Sequence, residues 1–402
     1  MFKPHKIIFY VVLLLLTTTL NAQVKLSNNA KISLMTASPW SEAVYALFGH
    51  TALYVEDDST GVEGVFNYGF FDSSQPNFMY NFIRGKTDYV LGVQTLEQFI
   101  TDYKIKGVEV VEQELNMSQV EKQKMWEALY INQLPENRRY RYNYFYDNCV
   151  TRPRDLIEEF VNGEILYPED ISTQTYRDLI HECVESYPWI KFGIDLIIGS
   201  DADIAINLRQ KMFLPIYLMN ALDNSTIAIN DTVSKPIVST REVVVEKTSG
   251  DKSINELSMI SPIVTAFALI ILTVVISLYQ LKGGHGLIIK LYDTLLFGIT
   301  GIGGFIILYL TFFSEHPATD SNWNFVWMNL FALIVPIFIW LKPLKNVVSL
   351  YHFTNFAVLT LFLLLWWAIP QKIPYATIPF TISLLFRSGI YIIMWRRKKN
   401  NK

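Results

Sequence analysis

From about Ile260 the chain carries five apolar segments, at 260–281, 287–313, 325–341, 347–369 and 375–395, and no other feature limits the fold so strongly. Each approaches the ~20 residues an α-helix needs to cross a bilayer. Inside a bilayer only helices or closed barrels satisfy their own backbone, so the reading is an all-α five-helix transmembrane domain over 260–395 with a tail at 396–402. Lys282 and Lys290 flank the first connection, Lys342 and Lys345 the third, and RRKK at 396–399 closes the chain. The second connection, SEHPATDSN, has no Lys or Arg, and the fourth has Lys372 alone. The positive-inside rule then predicts a cytoplasmic C-terminus and an exported region before Ile260. Two charges interrupt the apolar segments. Asp293 follows Leu287 by six positions and Arg387 precedes Trp395 by eight, so at ~1.5 Å per residue both sit roughly 9–12 Å above the cytoplasmic boundary. Their matched depth predicts that they face each other between the second and fifth helices.

The N-terminus independently predicts export. Lys3, His5 and Lys6 precede an apolar run, Ile7 to Leu16, and the small-residue site LNAQ, which is the order of a signal peptide over 1–22. Residues 23–222 are long enough for one core domain. Residues 223–259, rich in Ser, Thr, Asn and charge and without sustained periodicity, read as a linker. A formal net charge of −3, with no basic stripe outside the cytoplasmic caps, argues against nucleic-acid binding.

In the exported domain KISLMTAS, HTALYVED, GVFNYGFF, TDYVLGVQ and GVEVVEQEL read as strands by β-branched and aromatic content. Helical patterns cover about 41–48, 76–84, 95–104, 118–133 and 154–162, with more before 222. That is an α+β domain with strands early and helices late.

The stretch YFYDNCVTRPRDLIEEF holds Cys149, one of two cysteines in the chain. A cysteine becomes nucleophilic when a helix N-terminus or a histidine stabilises its thiolate. Asp147 and Asn148 are N-cap types and Leu156, Ile157 and Phe160 give a helical stripe behind Cys149, although Pro153 in a helix starting at Cys149 removes a main-chain bond. The alternative is a Cys149–Cys183 disulfide, which an exported domain permits. Two histidines lie in the domain. His50 opens a strand after Gly49, with Ala52 and Tyr54 on its face, and His181 sits in a helical pattern.

FGHTALYV, FNYGFF, GKTDYVLG and YRYNYFYDNCVTRPRDLIE, followed by five apolar segments with SEHPATDSNWN between the second and third, together resemble the Lnb-type lipoprotein N-acyltransferase family. More distantly, a strand histidine ahead of an NC at a helix start is similar to circularly permuted NlpC/P60 papain-like proteins. The resemblance implies that Cys149 takes an acyl chain from a phospholipid donor. The thioester then passes it to the N-terminal amine of a diacylglyceryl lipoprotein acceptor, without cofactor or metal. It also implies His50 as the base and a third polar group to hold its tautomer, for which Asn67 on the next strand is favoured.

Oxyanion donors are sought in the Cys149 backbone N–H and in Tyr142, Asn143 or Asn148. Arg152 and Arg154 suit a lipid phosphate, or else a solvated helix face. His316, Asn322 and Asn324, beside Trp323 and Trp327, form either an interfacial belt or the floor of the site. A cell-wall peptidase or amidase would use the same Cys–His pair on a peptide bond, without need of five spans. A membrane receptor or scaffold would need neither residue.

Overall fold

The computed structural model describes residues 24–400 apart from 72, 75, 231, 232 and 249–259. The expected signal peptide and the last part of the expected linker therefore lie outside the described residues. In the N-terminal domain the five expected strands are present as β1 (Lys31–Ala37), β2 (His50–Asp57), β3 (Val62–Phe70), β4 (Asp88–Gln94) and β5 (Val110–Leu115). With β6 (Arg139–Arg141) they join an antiparallel sheet in the order β5-β1-β2-β3-β4-β6. Both faces of this sheet are covered. Ile32, Leu34, Leu53, Val55 and Phe66 pack with the helices Gln119–Asn132 and α1 (Thr151–Phe160), whereas Met35, Ala52, Tyr54 and Val65 pack with Phe99 of the helix Leu96–Lys106. Two-sided burial, worth about 1.5–3 kcal/mol per large apolar side chain, explains why apolar residues occupy both faces of these strands.

Three stretches expected to be part of the linker instead form strands: β8 (Thr226–Asn230), β9 (Val233–Pro236) and β10 (Val238–Val245). β8 and β9 make a small sheet with β7 (Glu164–Leu166), and β10 adds to the edge of the main sheet beside β5. An edge strand solvated over most of its length has no apolar face to keep, so no alternation betrays it. The expected helix at 41–48 is a single 3-10 turn, Val44–Ala46.

The C-terminal domain is helical. Among the described residues four helices are long and apolar enough to cross a membrane: α4 (Pro262–Leu281), α5 (Gly286–Phe313), α6 (Lys345–Leu364) and α7 (Thr377–Asn400), the third of these joined to the 3-10 turn that precedes it. The expected third span is not a continuous helix. It is broken into Asn324–Trp327, a 3-10 turn Leu330–Leu333 and Ile334–Phe338, with Pro336 in the last piece. The break lets its backbone lie against α5, where a Cβ on Gly304 would stand 2.3 Å from the carbonyl carbon of Asn329. The segment still runs between the levels its neighbours span. Asn324 bonds to the N-terminal domain, and Trp340 donates to Thr294 near the start of α5.

Arg387 of α7 meets Asp293 of α5 in a two-pronged ion pair at 2.7 and 2.8 Å, and also donates to Ser277 and Gln280 of α4. Both charges are buried and paired, as their matched depth required.

The two domains are joined through the 314–323 loop. Glu315 pairs with Lys86 at 2.9 Å and Arg141 at 3.0 Å, and Gly199 N–H donates to Ala318 O at 2.7 Å. The fourth connection adds Lys372 to Asp178 at 2.7 Å.

Candidate active site

Cys149 lies just ahead of α1 rather than in it. Asn148 folds its side chain over the helix start, so that its Oδ1 accepts from the N–H groups of Val150 (2.8 Å) and Thr151 (2.9 Å). The helix consequently begins at Thr151, two residues later than Cys149, and Pro153 falls in the first turn, where a missing N–H breaks no bond. The expected helix-terminal stabilisation of the thiolate is therefore largely spent on Asn148. Burial dominates instead. It pushes the Cys149 thiol up to about 11, against the opposing pull of the backbone N–H groups of Thr51 and Cys149.

His50 opens β2. The register of β2 with β3 pairs Leu53 with Phe66, and continuing it sets His50 opposite Gly69. A one-residue shift in the pairing of β3 with β4, between Asn67 and Phe70, kinks the strand at that point. His50 Nε2 then lies 2.8 Å from Asn67 Oδ1, which also accepts from Gly69 N–H at 2.8 Å. The Gly69 bond fixes which end of the Asn67 amide is oxygen. His50 Nε2 must accordingly carry the proton and donate it, which leaves Nδ1 with the lone pair. Burial holds the imidazole down to about 4; the Asn67 bond opposes this and the Lys106 charge adds to it. The free site thus rests as a neutral thiol beside a neutral imidazole.

Cys149, His50 and Asn67 line one cavity of about 310 Å³. Its wall is aromatic: Tyr142 stacks on Tyr89 at 4.0 Å, and Lys106 lies over the rings of Tyr103 (4.8 Å) and Trp40 (5.4 Å). Tyr144 shares the wall, and its buried hydroxyl has no hydrogen-bond partner among the described residues. Gly69 is a close-approach position that strand periodicity passes over. A Cβ there would come within 2.4 Å of His50 Cε1, and the signal for it in the sequence is a glycine inside a strand two residues after Asn67.

The structure does not bring most of the other expected site residues into this cavity. Asn148 lines it, but its Nδ2 is committed to Tyr144 O and Phe213 O. Asn143 Oδ1 caps the turn through Phe145 N–H and Tyr146 N–H. Arg152 is held by Asp147 in a two-pronged pair and stacks on Tyr140, while Arg154 is buried and bound to Asp155 and Arg209 O. The loop residues work as joints between domains. His316 Nε2 bonds Phe82 O, Asn322 Nδ2 donates to Leu196 O and Ile197 O, and Asn324 Nδ2 donates to Asp195 O. These bonds commit the named atoms to protein partners.

Both cysteines are free. Cys149 packs against the core beneath the sheet, and Cys183, on α2 (Tyr176–Val184), packs in a separate cluster with Leu179 and Tyr187. His181 bonds Asp195, within a buried group in which Arg177 also bridges Asp195 and Asp203. It stands apart from the Cys149 cavity. Among the described residues no group of His, Cys, Asp and Glu is placed to hold a metal ion.

A family model described as the Lnb N-terminal periplasmic domain matches residues 18–182, and one described as the Lnb transmembrane domain matches residues 254–399. No curated protein and no solved structure matches the chain.

Proposed function

We propose a function for a chain that belongs to the Lnb family, a multi-pass membrane protein with a periplasmic N-terminal domain: it is a thiol acyltransferase acting on lipids. In the bacterial cytoplasmic membrane, with its C-terminus in the cytoplasm, it moves an acyl chain from a phospholipid to the N-terminal amine of a diacylglyceryl lipoprotein. As Cys149 Sγ attacks the ester carbonyl, His50 Nδ1 takes the thiol proton. The backbone N–H groups of Thr51 and Cys149 receive the oxyanion. Collapse of the tetrahedral adduct breaks the ester C–O bond; the lysophospholipid oxygen leaves with the proton from His50, and a thioester remains on Cys149. The acceptor amine then attacks the thioester and loses a proton through His50 to the departing sulfur. The products are an amide and the original thiol, so atoms and protons balance without a cofactor. Asn67 acts through His50 by keeping Nε2 protonated and Nδ1 free.

The observation that carries this reading is the cavity shared by Cys149 and the His50–Asn67 pair, with His50 confined to one tautomer. Purified full-length protein incubated with phospholipid and no acceptor is expected to gain one acyl mass that hydroxylamine removes and Cys149→Ala abolishes. A diacylated lipopeptide with a free amine is expected to discharge it, and its N-acetylated form to leave it in place. Cleavage of peptidoglycan fragments with no acyl adduct at any time would instead establish a cell-wall peptidase or amidase.

A further inference from the structure

A second cavity, of about 760 Å³, lies between the N-terminal domain and α5, and its size is that of a ligand site. Ile194 and Ile197 of α3 (Pro188–Ile197) form one wall, and Phe305, Ile306 and Tyr309 of α5 the other. Its lining is almost wholly apolar. Most of the polar side chains at its edge are bonded: His316 Nε2 bonds Phe82 O, Thr319 Oγ1 bonds His316 O and the Tyr80 hydroxyl accepts from Arg84, whereas the Tyr144 hydroxyl has no hydrogen-bond partner among the described residues. An occupant that needs hydrogen bonds would find few partners, whereas a hydrocarbon chain needs none.

Two features say which hydrocarbon. Phe48 and Tyr144 line both this cavity and that of Cys149, and their rings meet edge to face at 5.3 Å, so a single pair of aromatics divides the two spaces. At the other end the cavity reaches the side of α5 on which Phe305 and Ile306 stand half exposed, within the span that faces lipid. Beside it the short helix Phe78–Ile83 also turns apolar side chains outward, among them Met79, Tyr80 and Phe82. A chain lying here would begin in the bilayer and end at the nucleophile.

We infer that this cavity holds the transferred acyl chain of the donor phospholipid, threaded past Phe48 and Tyr144 so that its carbonyl reaches Cys149. The inference rests on the acyltransferase reading and deepens it. The donor is the better occupant because only its chain must bring a carbonyl to the sulfur. The acceptor delivers an amine, and its own chains can remain in the bilayer.

The test uses full-length protein and phosphatidylethanolamines with saturated chains of 8 to 18 carbons, reading the acyl mass on Cys149. Ile194→Trp and Ile306→Trp fill the cavity from opposite walls. Excluding about two methylenes is worth roughly tenfold, so the ratio of 16-carbon to 8-carbon adduct is expected to fall by about tenfold or more in each variant. Leu350→Trp, on an exposed part of α6, is expected to keep the wild-type ratio. An unchanged ratio in both cavity variants overturns the inference while leaving the acyltransferase reading intact. So does a changed lipopeptide requirement with an unchanged donor profile, which would give the cavity to the acceptor. A catalysis-independent arm uses Cys149→Ala with a phosphatidylethanolamine carrying a diazirine at the chain terminus. Labelling concentrated at 194–198 and 305–310 supports the site, and labelling spread evenly over the lipid-facing helices overturns it. If wild type forms no adduct from any donor the acyltransferase reading fails, and the diazirine arm still decides whether the cavity takes a chain.

Discussion

Raising the pH from 6 to 10.5 titrates Cys149 in the free protein, and the profile separates two ways of arming a thiol. With burial pushing the thiol up to about 11, only about one molecule in 10⁴ carries a thiolate at pH 7, against roughly 3 in 100 for an ordinary cysteine of pKa ~8.5. That is a deficit of about 300-fold. A more basic thiolate is intrinsically more reactive, and a Brønsted slope of ~0.4–0.5 over ~2.5 units returns about 10- to 18-fold. Alkylation by iodoacetamide at pH 7 should therefore run some 20- to 30-fold slower than on a free cysteine, before any steric hindrance from the cavity. Hindrance does not change the slope, which should be about tenfold per pH unit up to pH 10. The assay is mass spectrometry of the Cys149 peptide after timed alkylation of native protein, with urea-denatured protein as the reference. His50→Ala should leave this profile in place while slowing acyl transfer by a large factor, because a neutral imidazole does not stabilise a thiolate. Fast alkylation that stays flat between pH 6 and 9, and that slows when His50 is removed, would mean a preformed thiolate–imidazolium pair. His50 would then not be the group that takes the thiol proton during attack.

Gly69→Ala places a methyl 2.4 Å from His50 Cε1, so the ring must move; acyl-adduct formation should drop by a large factor while circular dichroism and melting temperature change little. Asn67→Ala should slow acylation by less than His50→Ala, whose loss as a general base is expected to cost about 10²–10⁴-fold, and Asn67→Asp should shift the acid limb of the pH–rate profile upward because a carboxylate favours the imidazolium. Cys183→Ser should keep full acylation and full yield, since Cys183 is free and packs in a cluster separate from that of Cys149; loss of activity in a folded protein would reopen the disulfide. Asp293→Ala strands the buried Arg387 guanidinium and should destabilise the membrane domain by about 3–5 kcal/mol, visible as a lower detergent melting temperature, with Arg387→Leu added to Asp293→Leu recovering part of the loss.

Local chemistry wrote much of this protein into its sequence. The apolar segments after Ile260, the strands from Lys31 to Leu115 and the helix behind Cys149 are each specified by residues close together in the chain, so composition and periodicity suffice to find them. The pairing of Asp293 with Arg387 could be inferred at long range because the bilayer supplies a common ruler: two buried charges at equal depth have few other places to go. Cys149 was a candidate by residue type and place, and His50 and Asn67 joined it through the family resemblance. Tertiary structure decided what they are to one another. Strand register and the kink near Gly69 turned Asn67 Oδ1 onto His50 Nε2, and burial under the sheet set the ionisation of Cys149. It also reassigned residues whose polar side chains looked free. Arg152, Asn322 and Asn324 have their hydrogen bonds taken by partners 5, 126 and 129 positions away, and no local pattern announces such a partner. The edge strand Val238–Val245 and the broken third segment escaped the sequence for one shared reason. Each is held by a neighbour's backbone, β5 for the strand and the Gly301–Gly304 stretch of α5 for the segment, and backbone contacts leave almost no mark on side-chain pattern.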